Sequence, residues 1–490
     1  MDTSNSTRAI GTADLVISQG KGVPISMNEL FFTVTFDPDN GSASTSQTVN
    51  DGRHANEPAD PIRAYPNPIT ATTAGLYKHA YTFDGWFAPS SATPYDFSTP
   101  ITGNLTLTAR WTPPTAIATV PANNVAAAVT RVKLAGAAND GAYTLLLDST
   151  TPIDTASQIL NVANRQLTIV GTTGGMSAIQ LSSSGSLFTV GAAGQTGIEL
   201  TLGNNITLVG RTTTAALVTV SGGAFIMNSN SSVKDQTNTS TASTTNGAAG
   251  VRVNSGSFTM NDTSSVTGNE STGSSGTAGR GGGVLVLGGT FTMNITSFIS
   301  NNIGGIGGGV YVDGGTFTMN NGEISDNTTF GTLSTGYGGG VYIGSGAFYM
   351  IDGTISGNTA TNTQGSARGG GGVYVENTGI FIMSGGTISG NKALGTPNTN
   401  SGGGVFVYVA PQYSGSFSKT GGIIYGNDET DVSLRNTTNN GMGQGHSVFY
   451  IVNNNEIYYR DTNLMQGDNI TTDSPLPVTS GATLNNWTRR

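Results

Sequence analysis

Two carboxylates, Asp313 and Glu376, come closest in this chain to the spacing of an acid–base pair. In an alignment of the repeated segments, both residues follow a Val-x-Val segment at the same corner, two repeats apart, with Gly344 between them. Two steps along a stack of strands would separate them by about 10 Å, the far limit for an inverting glycoside hydrolase. Three other acids of the repeats, Glu323, Asp326 and Asp352, fall in three different columns. We therefore expect solvated turn acids and no catalytic residue.

Thiol and metal chemistry find no pattern in the sequence. The chain has no Cys, which excludes disulfides, thiol catalysis and Cys-ligated metals. Its three histidines, His54, His79 and His446, lie in different regions without metal-ligand spacing. The stretch GGIGGGVYVDGG is similar to a calcium-binding nonapeptide repeat but lacks the Asp of GGxGxD. We predict no metal and no cofactor.

A column of large apolar residues is the candidate binding surface. Its members are the middle residues of the Val-x-Val segments, and alternation along a strand places them opposite the two valines. They are Leu285, Tyr311, Tyr342, Tyr374 and Phe406. Exposed rings about 5 Å apart could stack on sugar rings or anchor a protein. We expect this exposed stripe to bind a glycan or a protein partner; the alternative is a self-stabilising stack of rings.

A column of asparagines closes the third segment of each repeat. Asn side chains at a turn can bond the backbone amides of neighbouring coils and so form a ladder. The predicted members of this structural ladder are Asn269, Asn302, Asn327, Asn358, Asn391 and Asn427.

These columns depend on a repeat that recurs at roughly 26 to 36 residues, the signature of a repeat architecture. The aligned first valines are Val251, Val284, Val310, Val341, Val373 and Val405. Each repeat holds three strand-length alternations separated by Gly, Ser, Asn or Asp, without helical periodicity. We predict an all-β chain whose main part is a right-handed parallel β-helix, with three strands per coil and about nine to ten coils. The Val pair, the Phe-x-Met pair and one Ile of each repeat should point inward.

Composition indicates an extracellular protein. Charged residues are only 10% of the chain, against about 25% in typical globular proteins, and Ser, Thr and Asn replace them. The net charge of −9 with 20 Lys+Arg argues against a nucleic-acid partner. No apolar run approaches the ~20 residues of a membrane span. The N-terminus lacks a basic and apolar leader, and we expect that a leader has been removed.

Residues 31–112 differ from the repeats. They contain VTFDPDNG, SQTV, PADP, YTFDGWF and YDFSTPITGNLTLTARW in this order. This stretch resembles the Listeria–Bacteroides repeat, the internalin B-repeat type of small β-grasp domain in bacterial surface proteins. The pattern is interrupted at about Ile62 to Lys78 by extra Pro, Ala and Thr residues. The resemblance implies a spacer module without an active site.

The remaining boundaries follow from composition shifts. Residues 1–30 form an N-terminal extended segment, and 113–140 contain a Pro-rich linker and one helix. That helix is predicted from Asn123 to Leu134, with Gly136 after it, and should cover the first coil. The β-helix spans 141–435, and 436–490 form a C-terminal coil and cap.

Residues 115–490 resemble the Gly-rich, pectin-lyase-like β-helix surface proteins of spirochaetes, including their GHAVYV-type ending, matched here from Gly445 to Tyr450. Together these features favour a non-catalytic bacterial cell-surface protein for adhesion or display. One alternative is a structural subunit of an extracellular filament or sheath, whose partners are copies of itself. The second alternative is a polysaccharide lyase or hydrolase.

Overall fold

A computed structural model of the chain describes residues 30–61, 63, 73–78, 81–135, 141–172, 175–241, 247–273, 279–331, 336–361, 369–395, 401–410, 412–438, 446–452, 456–460, 462–465, 470–471, 483–484 and 487–489. The extended segment expected at residues 1–30 lies outside this set except for Leu30, and Gly136 lies outside it as well. The chain divides into two units, residues 1–71 with 78–115, and residues 72–77 with 116–490.

The first unit contains a mixed four-stranded sheet. Its strands, in spatial order, are Thr45–Asn50, Phe31–Asp37, Leu105–Thr112 and Thr82–Phe87. The two central strands are parallel and both outer pairings are antiparallel. Alternation buries Val34, Phe36, Leu107 and Ala109 on one face, where Trp86 packs edge-on against Phe36 at 5.2 Å. This is the small β domain expected before the repeats.

The second unit confirms the predicted parallel β-helix. Its broad sheet carries the Val-x-Val and Phe-x-Met segments, which pair in parallel with their copies one coil along. The strands of these coils are Ala142–Leu147, Gln158–Leu160, Gln166–Gly171, Phe188–Val190, Glu199–Leu202, Val218–Met227, Val251–Met260, Val284–Val286, Thr290–Met293, Val310–Met319, Val341–Met350, Val373–Glu376, Ile380–Met383, Val405–Val409, Ser416–Lys419 and Val448–Val452.

The third segments form a separate parallel sheet. Its ten strands in the described residues are Ile153–Thr155, Ser177–Leu181, Ile206–Val209, Ser232–Lys234, Ser265–Thr267, Phe298–Ser300, Glu323–Ser325, Thr354–Ser356, Thr387–Ser389 and Ile423–Ile424. One strand per coil gives ten coils, within the predicted range.

The prediction of three strands per coil misses a fourth, very short strand. After the ladder asparagine, or after Arg211 and Gln236 in the two earlier coils, the chain stays extended for two or three residues and pairs again. The resulting eight-stranded sheet contains Thr212–Thr213, Thr237–Asn238, Glu270–Ser271, Ile303–Gly304, Thr328–Thr329, Thr359–Thr361, Lys392–Leu394 and Thr437–Thr438. A small pair, Gly369–Gly370 with Ser401–Gly402, lies before two of the Val-x-Val strands. Segments this short carry no readable alternation, which is why the sequence did not predict them.

The interior is a set of identical columns. The predicted inward residues are buried in every described repeat, and the phenylalanines stack ring on ring, with centroids 4.5 Å apart for Phe291 and Phe317 and again for Phe317 and Phe348. Each coil alone exposes its apolar face, so the columns stabilise the fold only when neighbouring coils are present.

The first coil is covered by the predicted helix and by an unexpected strand. Helix α1 spans Val125–Lys133, is N-capped by Asn124, and buries one apolar face against the core. The strand Gly75–Lys78 pairs with Ala142–Leu147 and buries Leu76 in the same core. No strand was predicted here, because the stretch falls in the Pro-, Ala- and Thr-rich interruption at about Ile62 to Lys78. The structure shows that it protects an open sheet edge.

The last coil is closed by antiparallel strands. Val448–Val452 continues the parallel stack and then pairs with Glu456–Arg460, and further short strands are Ile470–Thr471, Thr483–Leu484 and Trp487–Arg489. In the interior column, Lys419 takes the position after Met383, and its Nζ donates to the carbonyl oxygen of Met465 at 2.8 Å. A polar end group at this position ends the apolar column.

Candidate functional site

The aromatic column predicted to be an exposed stripe is buried, which corrects that expectation. Relative exposures are 1% for Leu285, 5% for Tyr311, 4% for Tyr342, 1% for Tyr374 and 0% for Phe406. The Gly-rich segment before each strand folds over the column and adds a second apolar layer. That layer includes Ala216, Ala248, Ile306 and Tyr337.

The rings of this column pack on each other instead of facing solvent. Tyr342 and Tyr374 stack at 5.1 Å, Tyr374 and Phe406 at 5.0 Å, and Tyr337 lies over Tyr374 at 5.0 Å. The alternative of a self-stabilising stack therefore describes the geometry. A glycan has no access to these faces in the folded chain.

The asparagine column forms the predicted inner amide ladder over most of its length. The backbone N–H and the side-chain Nδ2 of Asn302 both donate to Oδ1 of Asn327 at 3.0 Å. The same Nδ2 also reaches the carbonyl oxygen of Val266 in the preceding coil at 2.9 Å. Five of the six predicted members take part, namely Asn269, Asn302, Asn327, Asn358 and Asn391, and all are fully buried.

The sixth predicted ladder residue, Asn427, is wrong. Asn436 completes the ladder, because its Oδ1 accepts from the backbone N–H and Nδ2 of Asn391 at 2.9 Å. Asn427 is exposed at the start of an inserted turn that precedes Asn436 in the last coil. The insertion shifts the register by nine positions, and a fixed distance from the preceding Ile points to the wrong residue.

The two carboxylates singled out by sequence form part of a half-buried hydrogen-bonded corner. Asp313 accepts from Ser345 Oγ at 3.0 Å and forms an ion pair with Arg280 at 3.3 Å. Glu376 accepts a hydrogen bond from the hydroxyl of Tyr342. Burial, and secondly the negative charge of Asp313, raises the pKa of Glu376. Raised carboxyl pKa values are typical of general acids, but also of buried structural groups.

The surroundings of this corner favour the structural interpretation. The guanidinium of Arg280 lies 5.4 Å from the ring centroid of Tyr311, whose pKa burial raises far above its usual value. Each carboxylate is already paired with a neighbouring side chain, so a substrate would have to displace these partners. In the described part of the chain, no group of three His, Cys, Asp or Glu residues could hold a metal ion.

A second amide row, on the outer surface, was missed by the sequence analysis. It consists of the residue that follows Met in four consecutive coils, where the chain turns from the broad sheet to the ten-stranded sheet. The members of this outer amide row are Asn228, Asn261, Asn294 and Asn320. From Asn261 onwards, each Nδ2 donates to Oδ1 of the preceding member, at 3.0, 2.7 and 2.8 Å in turn.

These amides retain hydrogen-bonding capacity towards solvent. An Asn side chain offers two N–H donors and an oxygen with two lone pairs. The bonds along the row use one donor and one lone pair of Asn261 and of Asn294. Among the described residues, no protein group takes the second donor and the second lone pair. The row therefore presents alternating donors and acceptors that are fixed in position.

The outer amide row lines a groove of about 520 Å³. Ile295, which is 63% exposed, and the carboxylate of Asp262 share its wall with Asn321. Asp262 accepts from Ser229 Oγ at 2.9 Å, which fixes its orientation. A groove with fixed amides, one acid and an exposed apolar side chain combines the polar and apolar contacts typical of a ligand site.

An exposed aromatic residue lies beside one end of the row. Tyr349 is 38% exposed and pairs in register with Thr318, two residues before Asn320. On its other side it pairs with Ile382, next to Ile380, which is 36% exposed. Thus one accessible aromatic side chain belongs to the outward face of the Phe-x-Met segment. An exposed aromatic surface was instead predicted on the Val-x-Val segment.

A signal for the outer amide row is present in the sequence. Four repeats spell Met-Asn at the end of the second strand, as in FIMN and FTMN. The predicted asparagine ladder included only the residues that close the third segment.

Comparison with known families supports the assignment of the first unit. Residues 32–67 and 65–110 match the model of the Listeria-Bacteroides repeat domain. The matched residues contain the strands of the four-stranded sheet, apart from Phe31 at one end and Trp111–Thr112 at the other. No curated protein and no solved structure matches the chain.

Proposed function

We propose that this chain is a non-catalytic bacterial surface protein, exported to the cell exterior, whose β-helix displays a glycan-binding face for adhesion. The binding face is the outer amide row with its groove and the neighbouring Tyr349. The observation that carries the proposal is the row of aligned outward amides, each held by its neighbours and each with unused hydrogen-bonding capacity.

The extracellular location rests on composition and on the family match. A charged fraction of 10% and the absence of Cys suit a surface of hydroxyls and amides. The Listeria-Bacteroides repeat domain occurs before the β-helix, and the resemblance of the repeats to Gly-rich, pectin-lyase-like surface proteins of spirochaetes agrees with this location. No helix in the described residues is long and apolar enough to cross a membrane.

Two other functions receive less support. Filament assembly by stacking of coils would need an open end, whereas α1 and the strand Gly75–Lys78 cover the first coil and antiparallel strands cover the last. A polysaccharide lyase or hydrolase would need free acids at a cleft, whereas Asp313 and Glu376 are engaged by Arg280, Ser345 and Tyr342.

The proposal is tested by binding of the purified chain to a panel of immobilised glycans. The groove variant Asn261→Ala/Asn294→Ala removes two central amides. The control variant Thr267→Ala/Ser300→Ala removes two hydroxyls that face each other across neighbouring coils of the ten-stranded sheet at 3.4 Å. We expect the groove variant alone to lose binding while both unfold like the wild type. Equal binding by all three proteins would contradict the proposal.

A further inference from the structure

The outer amide row has a direction, and this restricts what can bind along it. The preceding methionines pair in register from coil to coil, from Met227 to Met260, Met293 and Met319. Consecutive amides are therefore one strand spacing apart, about 4.8 Å, and the four of them extend over about 14 Å along the stack. A ligand that contacts all four must be extended and must lie parallel to the axis of the coils.

The spacing also discriminates between classes of extended polymer. Two coil spacings, about 9.6 Å, agree with the length of one disaccharide repeat in an extended β-1,4-linked glycan. An extended peptide instead repeats every two residues, about 6.7 Å. A peptide would fall out of step with the amides within two coils, whereas alternate sugars of the glycan stay in step. Sugar hydroxyls both donate and accept, which matches amides that offer one of each.

Charge restricts the glycan further. Of the residues that line the groove in the described part of the chain, one is the carboxylate of Asp262 and none is basic. Asn321 donates to a second carboxylate, that of Asp352 in the next coil, at 3.1 Å. A uronate or sulfate group in the groove would face these acids, and no basic residue is among the described lining residues. Like charges at close range repel, so an anionic glycan should bind less well. Uncharged sugars avoid this cost.

Tyr349 supplies the apolar contact that sugar rings need. Its ring is exposed next to Ile380 and Ile382, and an aromatic face can pack against the C–H groups of a pyranose ring. Tyr349 is in register with Thr318, two residues before Asn320, and lies one coil beyond the last amide. It therefore lies beside one end of the track and gives the track polarity.

From these relationships we infer that the ligand is a linear, uncharged, β-1,4-linked glycan that lies along the coil axis over the outer amide row, with one sugar on Tyr349. This inference rests on the proposed function.

The experiment is calorimetric titration of the full chain with cello-oligosaccharides and N-acetylated chito-oligosaccharides of two to six sugars. Oligogalacturonate of six sugars is the anionic comparison. At least one neutral series should bind, with affinity rising with each added disaccharide until the row is spanned. The groove variant and Tyr349→Ala should each bind the hexamer at least about tenfold more weakly, the effect of losing one or two good contacts. The control variant Thr267→Ala/Ser300→Ala should match the wild type.

The other outcomes separate the inference from the proposed function. If oligogalacturonate binds as well as the neutral hexamers, and its binding depends on Asn261 and Asn294, the charge argument is overturned. The proposed function as a glycan-binding protein would then still hold. Neutral glycans whose affinity does not change beyond the disaccharide would overturn the axial arrangement. If the chain binds none of these sugars and no member of the wider glycan panel, but binds an extended peptide, both the inferred ligand and the proposed function are overturned.

Discussion

Asn302 and Asn327 lie one above the other in the core, and the backbone N–H and Nδ2 of Asn302 both donate to the same Oδ1 of Asn327 at 3.0 Å. The Nδ2 of Asn327 in turn donates to Ile299 in the preceding coil and to Asn358 in the next, both at 2.9 Å. One side chain thus joins three coils. The outer amide row repeats the side-chain contact but leaves half of its capacity unused.

Asn327→Asp should therefore destabilise the chain strongly. A carboxylate cannot donate, so both Nδ2 bonds are lost and a charge is buried at a fully enclosed position. We expect the free energy of unfolding to fall by about 3 kcal/mol or more. The matched control is Asn320→Asp in the same coil, where the side chain is exposed. Similar denaturation midpoints for both variants would contradict the role of the ladder.

The buried and the exposed tyrosines should separate stability from binding. Tyr374 is 1% exposed and stacks on both neighbouring coils, whereas Tyr349 is 38% exposed. Tyr374→Ala should cost about 3–5 kcal/mol of stability, as other large-to-small core changes do. Tyr349→Ala should leave stability within about 0.5 kcal/mol, typical of surface changes, and should weaken glycan binding. If Tyr374→Ala instead weakened glycan binding without loss of stability, and Tyr349→Ala lowered stability without affecting binding, the aromatic column would be the binding surface after all.

A corner glycine should not tolerate a side chain. Gly346 has φ +83°, and a Cβ there would collide with the carbonyl oxygen of Gly315. Gly346→Ala should destabilise the chain by about 3 kcal/mol, the sum of a left-handed backbone and overpacking. Gly194 has φ +74° with nothing near its missing Cβ, so Gly194→Ala should cost only about 1–2 kcal/mol. Equal losses in thermal unfolding would show that the collision is relieved.

Stability should depend on pH through Glu376. Burial and Asp313 raise the pKa of its carboxyl group in the folded chain, so folding favours the protonated form. The resulting stabilisation is fully present below the pKa of the unfolded chain and is lost as the pH rises through the folded value. Glu376→Gln should therefore show a smaller decrease in unfolding free energy between pH 4 and pH 8. If the unfolding free energy of Glu376→Gln decreases with pH as steeply as that of the wild type, the raised pKa of Glu376 is contradicted.

Regular periodicity made most of the β-helix predictable. The inward Val284 and Val286, Phe291 and Met293 recur in register, so their burial follows from alternation. Alternation alone cannot say whether the opposite face meets solvent. Tyr311 and Tyr374 lie opposite the core valines as predicted, but the Gly-rich segments cover them, and glycines have no side chain whose pattern reveals such packing.

Irregular positions were the ones that sequence could not place. An insertion moves the last ladder position from Asn427 to Asn436. The strand Gly75–Lys78 lies in sequence between segments of the first unit but pairs with the first coil of the β-helix. Both depend on contacts between residues distant in sequence, which a local pattern does not contain. The outer amide row was locally visible as Met-Asn pairs, but its function depends on hydrogen bonds between coils.

The location of the binding face is tested most directly by hydroxyl-radical footprinting of the wild-type chain with and without a bound glycan from the panel. Tyr349 and Tyr413 are exposed to similar degrees, 38% and 43%, so both should oxidise in the free chain. With glycan bound, we expect protection of Tyr349 and unchanged oxidation of Tyr413. Bound glycan with Tyr349 still fully oxidised would contradict the assignment of the outer amide row as the binding face.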